Sequence, residues 1–363
     1  MTSAPFSGKN LWNLRSHVSG KTGYINRSGA WAIEPVFDEA NPFRGAMAGA
    51  KYQGQWGIVD REGHWKPAPA GVSKISAYGE GPVRAKVLDK WGFIDELGRW
   101  IVEPKFSYEF GFRAGLMKVI HSGMYGYVNL NGGWHIEPRF KYLGGFSQGL
   151  IGAQLPGGKV GFIDQHGDWA IQPQFARAYT FQKEAPITTV GLNWKDNGYL
   201  EGYINVQGEW FLEPKFHYAG TFENGLAGSR RGEPGDDYTE DNERWGFHDT
   251  AGEWVIEPRF QGVRLFAEGM APVEYDDRFG FIDIRGNWLL EPTLDVAWSV
   301  NDGLIHAGTN RKYGFLNTSF EWVIPPIYNE VWDCGELIEV VAEGQQSYLD
   351  RTGKPVAGLA ARL

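Results

Sequence analysis

The side chains in this chain whose types could do chemistry are eight histidines, one cysteine and a recurring series of aspartates. Asp60, Asp95, Asp164, Asp249 and Asp283 are each followed three residues later by Gly63, Gly98, Gly167, Gly252 or Gly286, and Asn26, Asn129, Asn205 and Asn317 take the same phase elsewhere. Paired carboxylates can perform acid–base catalysis. A catalytic pair has no reason to return in every repeat, whereas a turn does. An Asp or Asn side chain accepts backbone N–H groups of the turn that follows, and a glycine supplies its left-handed residue. In the last copy Phe320 stands where that glycine is expected, with Ser319 beside it, and leaves the turn ambiguous.

The histidines are His17, His64, His121, His135, His166, His217, His248 and His306, and no two of them have the spacing of a metal site. His248 replaces the Ile or Val of other copies and is expected to be a half-buried, satisfied structural histidine. Cys334 has no nucleophile signature around it and is expected to pack as a small apolar residue. Asp236, Asp237, Glu240 and Asp241 are acidic but lack the D-x-D-x-D-G register of a calcium loop. No catalytic residue, metal or cofactor is expected.

The elements that must position these residues are set by one dipeptide, aromatic-Gly in its best copies. Its glycine falls at Gly23, Gly57, Gly92, Gly126, Gly161, Gly202, Gly246, Gly280 and Gly314, in steps of 34, 35, 34, 35, 41, 44, 34 and 34 residues. A period in this range marks a repeat architecture. One copy reads Trp91-Gly92-Phe93-Ile94-Asp95, Gly98, then Trp100-Ile101-Val102-Glu103-Pro104 and Phe106, Phe112, Gly115-Leu116 and Val119. The short β-branched and aromatic runs predict a hairpin plus a third strand, with Pro ending a pairing or marking an edge. Nine tryptophans, Trp31, Trp65, Trp100, Trp134, Trp169, Trp210, Trp254, Trp288 and Trp322, share the first place of the return strand and are expected to be buried. Charges flanking Pro, such as Glu103/Lys105, Glu137/Arg139, Glu213/Lys215 and Glu257/Arg259, are expected to form exposed ion-pair ladders between copies.

The pattern W-G-[FY]-I-[DN]-x-x-G-x-W-x-I-x-P-x-[FY] resembles the WG-repeat, or KWG-repeat, family of mostly bacterial proteins, over about Thr22 to Val356. The resemblance implies β-rich binding or scaffolding modules and carries over no catalytic residue. The expected fold is all-β: tandem ~34-residue three-stranded repeats in an open, twisted β-solenoid-like array, with a closed propeller-like ring as the alternative. Residues 1–21 are an N-terminal segment with a degenerate strand. Residues 22–356 hold nine repeats and a partial tenth as one continuous domain, and 357–363 are a tail.

The period slips where two insertions lengthen the same connection in neighbouring copies, at 191–200 and 229–244. Insertions in repeats tend to lie on one face, often the binding face. Trp194, Asp196, Asp236, Asp237, Tyr238, Glu240 and Asp241 are therefore the candidate partner-binding residues, their carboxylates suited to a basic protein. A disordered solvated loop is the competing reading. The net charge of −9 disfavours nucleic acid and anionic membranes. The single cysteine excludes an intrachain disulfide, and no apolar run suits a leader or a membrane span. The expectation is a cytoplasmic, non-enzymatic protein-binding scaffold, monomeric outside its complex, with an immunity-type role against a bacterial protein partner. The alternative is a glycan-binding protein of the cell surface.

Overall fold

The computed structural model describes residues 11–15, 19–43, 45–76, 82–113, 115–183, 185–193, 198–231 and 244–356, with backbone only for 108–113. Every regular element among them is a β-strand. The strands form small antiparallel sheets that follow one another in chain order without a closed barrel, consistent with the tandem all-β repeats read from the sequence. By internal contacts the chain divides into two compact units, Met1–Lys141 with Trp332–Leu363, and Tyr142–Val331.

The hairpin expected in each copy forms, as does the third strand, and the structure adds a fourth. In one sheet the order is Tyr108–Arg113, Leu116–His121, Met124–Asn129 and Trp134–Phe140. The first strand follows directly on the previous sheet's last strand, Trp100–Phe106. In several copies it shrinks to two residues, as in Arg177–Ala178 and Val296–Ala297, too little sequence to carry a strand signal.

The invariant glycine is explained by the return strand. Tyr125 pairs with Phe140 and Tyr127 with Ile136, so the single residue Gly126 faces three on the other strand. That stretch, Glu137-Pro138-Arg139, bulges toward the hairpin. A Cβ built on Gly126 would lie 2.7 Å from the Ile136 carbonyl oxygen, and one on Gly161 2.6 Å from that of Ile171. The proline thus sits inside the edge strand's bulge, where no amide donor is needed.

Each turn after the hairpin is closed as the sequence predicts. Asp95 Oδ1 accepts Leu97 N and Arg99 N, both at 2.9 Å, and Gly98 takes φ +77°. In the last full copy Phe320 itself adopts φ +62°, which resolves the ambiguity. Its ring lies 5.2 Å from that of Phe281, so packing compensates a backbone that disfavours any side chain.

The core is built from a different set of aromatics than expected. The third residue of W-G-[FY] is buried, as in Tyr24, Phe93, Phe162 and Tyr203, together with the Phe two residues past Pro, as in Phe106, Phe140, Phe175, Phe216 and Phe260. Seven of the nine return-strand tryptophans are only half-buried, and the other two, Trp210 and Trp322, are exposed. The reason is geometric: most stand on the edge strand of their sheet, where a ring of the preceding copy covers one side. Trp134 meets Phe106 edge-on at 5.9 Å, Trp254 meets Phe216 at 5.8 Å and Trp288 meets Phe260 at 5.9 Å.

The expected ion-pair ladder is largely replaced by another contact. Glu257 pairs with Arg231, which does not flank a proline. Lys215 and Arg259 instead lie over the adjoining Phe216 and Phe260 rings. Each then donates to the carbonyl of the next copy's turn glycine, Gly252 at 2.8 Å and Gly286 at 2.7 Å. A long cationic chain reaches the neighbouring turn while its stem covers aromatic surface.

Within the first unit, the strand Trp12–Arg15 packs against the last hairpin, Leu337–Ala342 with Gln345–Asp350. Trp12, Leu14 and Ile25 share an apolar cluster with Leu337, Tyr348 and Val356.

Candidate functional site

The sequence-predicted binding residues Trp194, Asp196, Asp236, Asp237, Tyr238, Glu240 and Asp241 lie outside the described residues. Their roots are described. The first insertion is carried by Ile187–Asn193 and Tyr199–Asn205, whose last pair is Asn193 with Tyr199. The second is carried by Leu226–Arg231 and Trp245–His248, whose last pair is Arg230 with Trp245. Parts of both insertions, Gly191 to Asn193 and Ser229 to Arg231, are therefore strand. A hairpin can lengthen outward in pairs without disturbing the core beneath it.

All four strands belong to one seven-stranded sheet, because Trp210–Glu223 runs on through a bend and serves both copies. Its register shifts between Phe216 and Tyr218 and again between Ala219 and Phe222. At that bend sits Glu201, in the phase where most other copies carry an aromatic residue, and it is wholly buried. Its carboxylate accepts Ala219 N at 2.8 Å and lies 3.3 Å from Arg177 Nε and 3.5 Å from Tyr179 Oη.

Arg177 donates to Tyr179 Oη at 2.6 Å, and its guanidinium lies over the rings of Tyr179 (5.3 Å) and Tyr199 (5.2 Å). On the second insertion's side, Arg230 lies over Trp245 (5.3 Å) and Tyr218 (6.0 Å), and Tyr218 packs on Trp245 at 4.9 Å. Burial raises the Glu201 carboxyl above its ordinary range, against the lowering pull of the Ala219 amide and of both arginines. The Tyr179 hydroxyl is pushed up to about 12, first by desolvation and then by the Glu201 charge.

The result is an exposed patch whose arginine is held on several sides. Tyr179, Leu192 and Tyr199 are between 36% and 38% exposed, and Arg177 is clamped between two of them by a carboxylate beneath. Aromatic and arginine side chains held in place suit macromolecular recognition, because little rotamer freedom is lost on binding. Glu201, Arg177 and Tyr179 belong to no motif. The one signal in the sequence is a carboxylate before Gly202 where other copies have Thr, Trp, Tyr, Val or Phe.

His248 is deeper than the sequence implies, wholly buried rather than half-buried. It stacks on Phe216 at 4.2 Å and 11°. Its Nδ1 lies 2.7 Å from the Asp249 carbonyl, which can only accept, so the proton is on Nδ1. Nε2 then accepts from Ser229 Oγ at 3.0 Å, and Ser229 Oγ in turn accepts Gly220 N at 3.4 Å. Desolvation lowers its pKa to about 4, so it is neutral near pH 7. The Ser–His distance is that of an activated nucleophile, yet both side chains are fully enclosed, and the pair ties the second insertion's root to the bend at Gly220.

Among the described residues no group of three or more His, Cys, Asp or Glu is placed to hold a metal ion.

The model of the WG containing repeat matches residues 23–56, 91–119, 125–159, 161–185, 202–230, 245–278, 279–308 and 313–333. No curated protein matches significantly. Among solved structures, a eukaryotic initiation factor is 13% identical with TM-score 0.51, covering 96% of this chain and 95% of its own, a likeness of fold alone. The computationally designed Ika8 protein is 11% identical with TM-score 0.40, covering 77% of this chain and 96% of its own. Eight matched copies, in phase with the glycines and bulges described above, place this chain in the family of WG-repeat proteins.

Proposed function

We propose that this WG-repeat chain is a non-enzymatic protein-binding scaffold, of the immunity type, that engages a bacterial protein partner in the cytoplasm. The observation that carries the reading is the patch of Arg177, Tyr179, Leu192 and Tyr199 at the root of the first insertion, coupled through Glu201 to Arg230 at the root of the second. The second insertion contributes Glu233, Asp236, Asp237, Glu240, Asp241 and Glu243, which favours a basic partner surface. Such charges raise the association rate, whereas the aromatic–arginine patch supplies the desolvated contact.

The test is capture from the native host with the tagged full chain, beside Tyr199→Ala and a variant lacking 232–243. A stoichiometric protein partner held by the parent chain and lost by both variants is expected. Recovery of no such partner, or capture that neither variant changes, refutes the reading.

A second reading, glycan binding at the cell surface, is favoured by one observation: the return-strand tryptophans repeat at a fixed phase with part of each indole open to solvent. A glycan array without hits removes it.

A further inference from the structure

In four copies the ring of the hairpin's third residue is covered by a phenylalanine from the chain's next segment. Tyr24 meets Phe43 at 4.6 Å, Phe162 meets Phe181 at 5.0 Å, Tyr203 meets Phe222 at 4.9 Å and Phe247 meets Phe266 at 4.8 Å. Continued along the chain, the same phase falls on Val300 and then on Cys334. The series thus ends on a side chain much smaller than a phenyl ring, and Cys334 lines a cavity of about 580 Å³ within the first unit. That volume lies in the range of small-molecule sites.

Aromatic walls come from Trp12, which is 7% exposed, and Trp332, which is 46% exposed and stands at the opening. The acidic groups on the lining are Asp333 and Glu339. Asp333 is neutralised: both its oxygens lie 2.9 Å from an Arg351 terminal nitrogen. Arg61, also on the lining, donates to the Gly45 carbonyl at 2.8 Å and lies over Phe43 at 4.9 Å. Glu339 accepts Gln346 Nε2 at 2.8 Å and lies 3.2 Å from Tyr348 Oη, but it forms no ion pair with any described residue.

We propose that this cavity binds a small organic ammonium ion, with Glu339 as its counter-ion and Trp12 and Trp332 as its aromatic walls. The neutral donors fix the Glu339 carboxylate in place and leave its charge unbalanced. A cation with apolar substituents satisfies that charge and the indole faces together. A neutral apolar ligand of equal size satisfies only the walls. The cavity is lined by residues of the first unit, and the patch proposed to bind a partner belongs to Tyr142–Val331.

The test is calorimetric titration of the purified full chain with choline and with its uncharged carbon isostere, 3,3-dimethylbutan-1-ol. Millimolar or tighter binding of choline is expected, with the isostere weaker by about tenfold or more. Glu339→Gln keeps an acceptor for Gln346 and Tyr348 and should weaken choline about tenfold. Cys334→Phe restores the ring of the other copies and should abolish binding without lowering Tm; Cys334→Leu serves if that variant does not fold. Failure of choline to saturate the protein overturns the proposal. So does equal binding of the isostere, or choline affinity unchanged in Glu339→Gln or in the folded Cys334 variant.

Discussion

Substituting alanine at two glycines on adjacent strands should move stability in opposite directions. Gly152 and Gly161 lie in the paired strands Leu150–Gln154 and Val160–Ile163, where Gly152 faces Phe162 and Gly161 faces Ala153. Both are buried, and neither has a left-handed backbone. Each alanine therefore gains about 0.4–1 kcal/mol by restricting the unfolded chain. The native states differ. A Cβ on Gly152 would meet the Tyr142 ring at 3.6 Å, an ordinary contact. A Cβ on Gly161 would lie 2.6 Å from the Ile171 carbonyl oxygen and 2.8 Å from Pro173 N, both backbone atoms. The bulge Gln172-Pro173-Gln174 would have to move by the better part of an ångström, an overpacking cost of about 1–3 kcal/mol or more. Gly152→Ala is thus expected between neutral and about 1 kcal/mol more stable, and Gly161→Ala about 1–2 kcal/mol less stable. Urea unfolding followed by tryptophan fluorescence, with the slope checked for constancy, measures the difference. Equal midpoints for the two variants would refute the claim that the bulge imposes the repeat's glycine.

Burial keeps His248 neutral down to about pH 4, whereas the unfolded chain protonates it near 6.5. The unfolded state therefore binds more protons between those values, and stability should fall by up to about 3 kcal/mol as pH drops from 6.5 to 4, then level off. His248→Val should remove that slope from the pH dependence of the urea midpoint. Phe320→Ala loses the ring but keeps the left-handed strain, while Phe320→Gly loses both. Calorimetry should therefore find the glycine variant more stable than the alanine by about 1–2 kcal/mol. Phe106→Ala, at a fully buried ring, should cost about 3–5 kcal/mol by urea unfolding. Trp134→Ala, half-buried, should cost clearly less, on the order of 2 kcal/mol.

The repeat made the strands, turns and bulge phase readable, because each copy repeats the same local chemistry. Asp95 with Gly98 reads as a closed turn because both the acceptor and the left-handed residue are in the sequence. Tryptophan burial was not readable in the same way. Trp134 and Phe106 are both large and apolar, and only the stacking of one copy on the next decides which is enclosed. The cationic residue after Pro was misread for a related reason, since its acceptor is a carbonyl of the following turn and leaves no trace in side-chain identity. The insertions were legible as breaks in the period, yet the groups that hold their roots were not. Arg177 and Tyr179 look like ordinary surface residues until the fold brings them over Glu201.

The departures from the repeat are not scattered. Glu201 in place of an aromatic residue, Ser229 one strand beyond in the sheet, His248 in place of an aliphatic residue, and both insertions fall in two consecutive copies joined by the strand Trp210–Glu223. A buried carboxylate and a buried imidazole each cost stability unless hydrogen-bonded. No other copy carries a carboxylate or an imidazole at the equivalent position, so the repeat itself does not require them. Their partners show what they achieve: Glu201 fixes Arg177 and the bend at Ala219, and His248 with Ser229 fixes the same bend at Gly220. Polar groups that specify one geometry at some cost in stability are expected where geometry matters to function. Here that geometry is the relative placement of two hairpin roots. The strands at those roots cannot slip past one another without stripping Glu201 of Arg177 and the Ala219 amide.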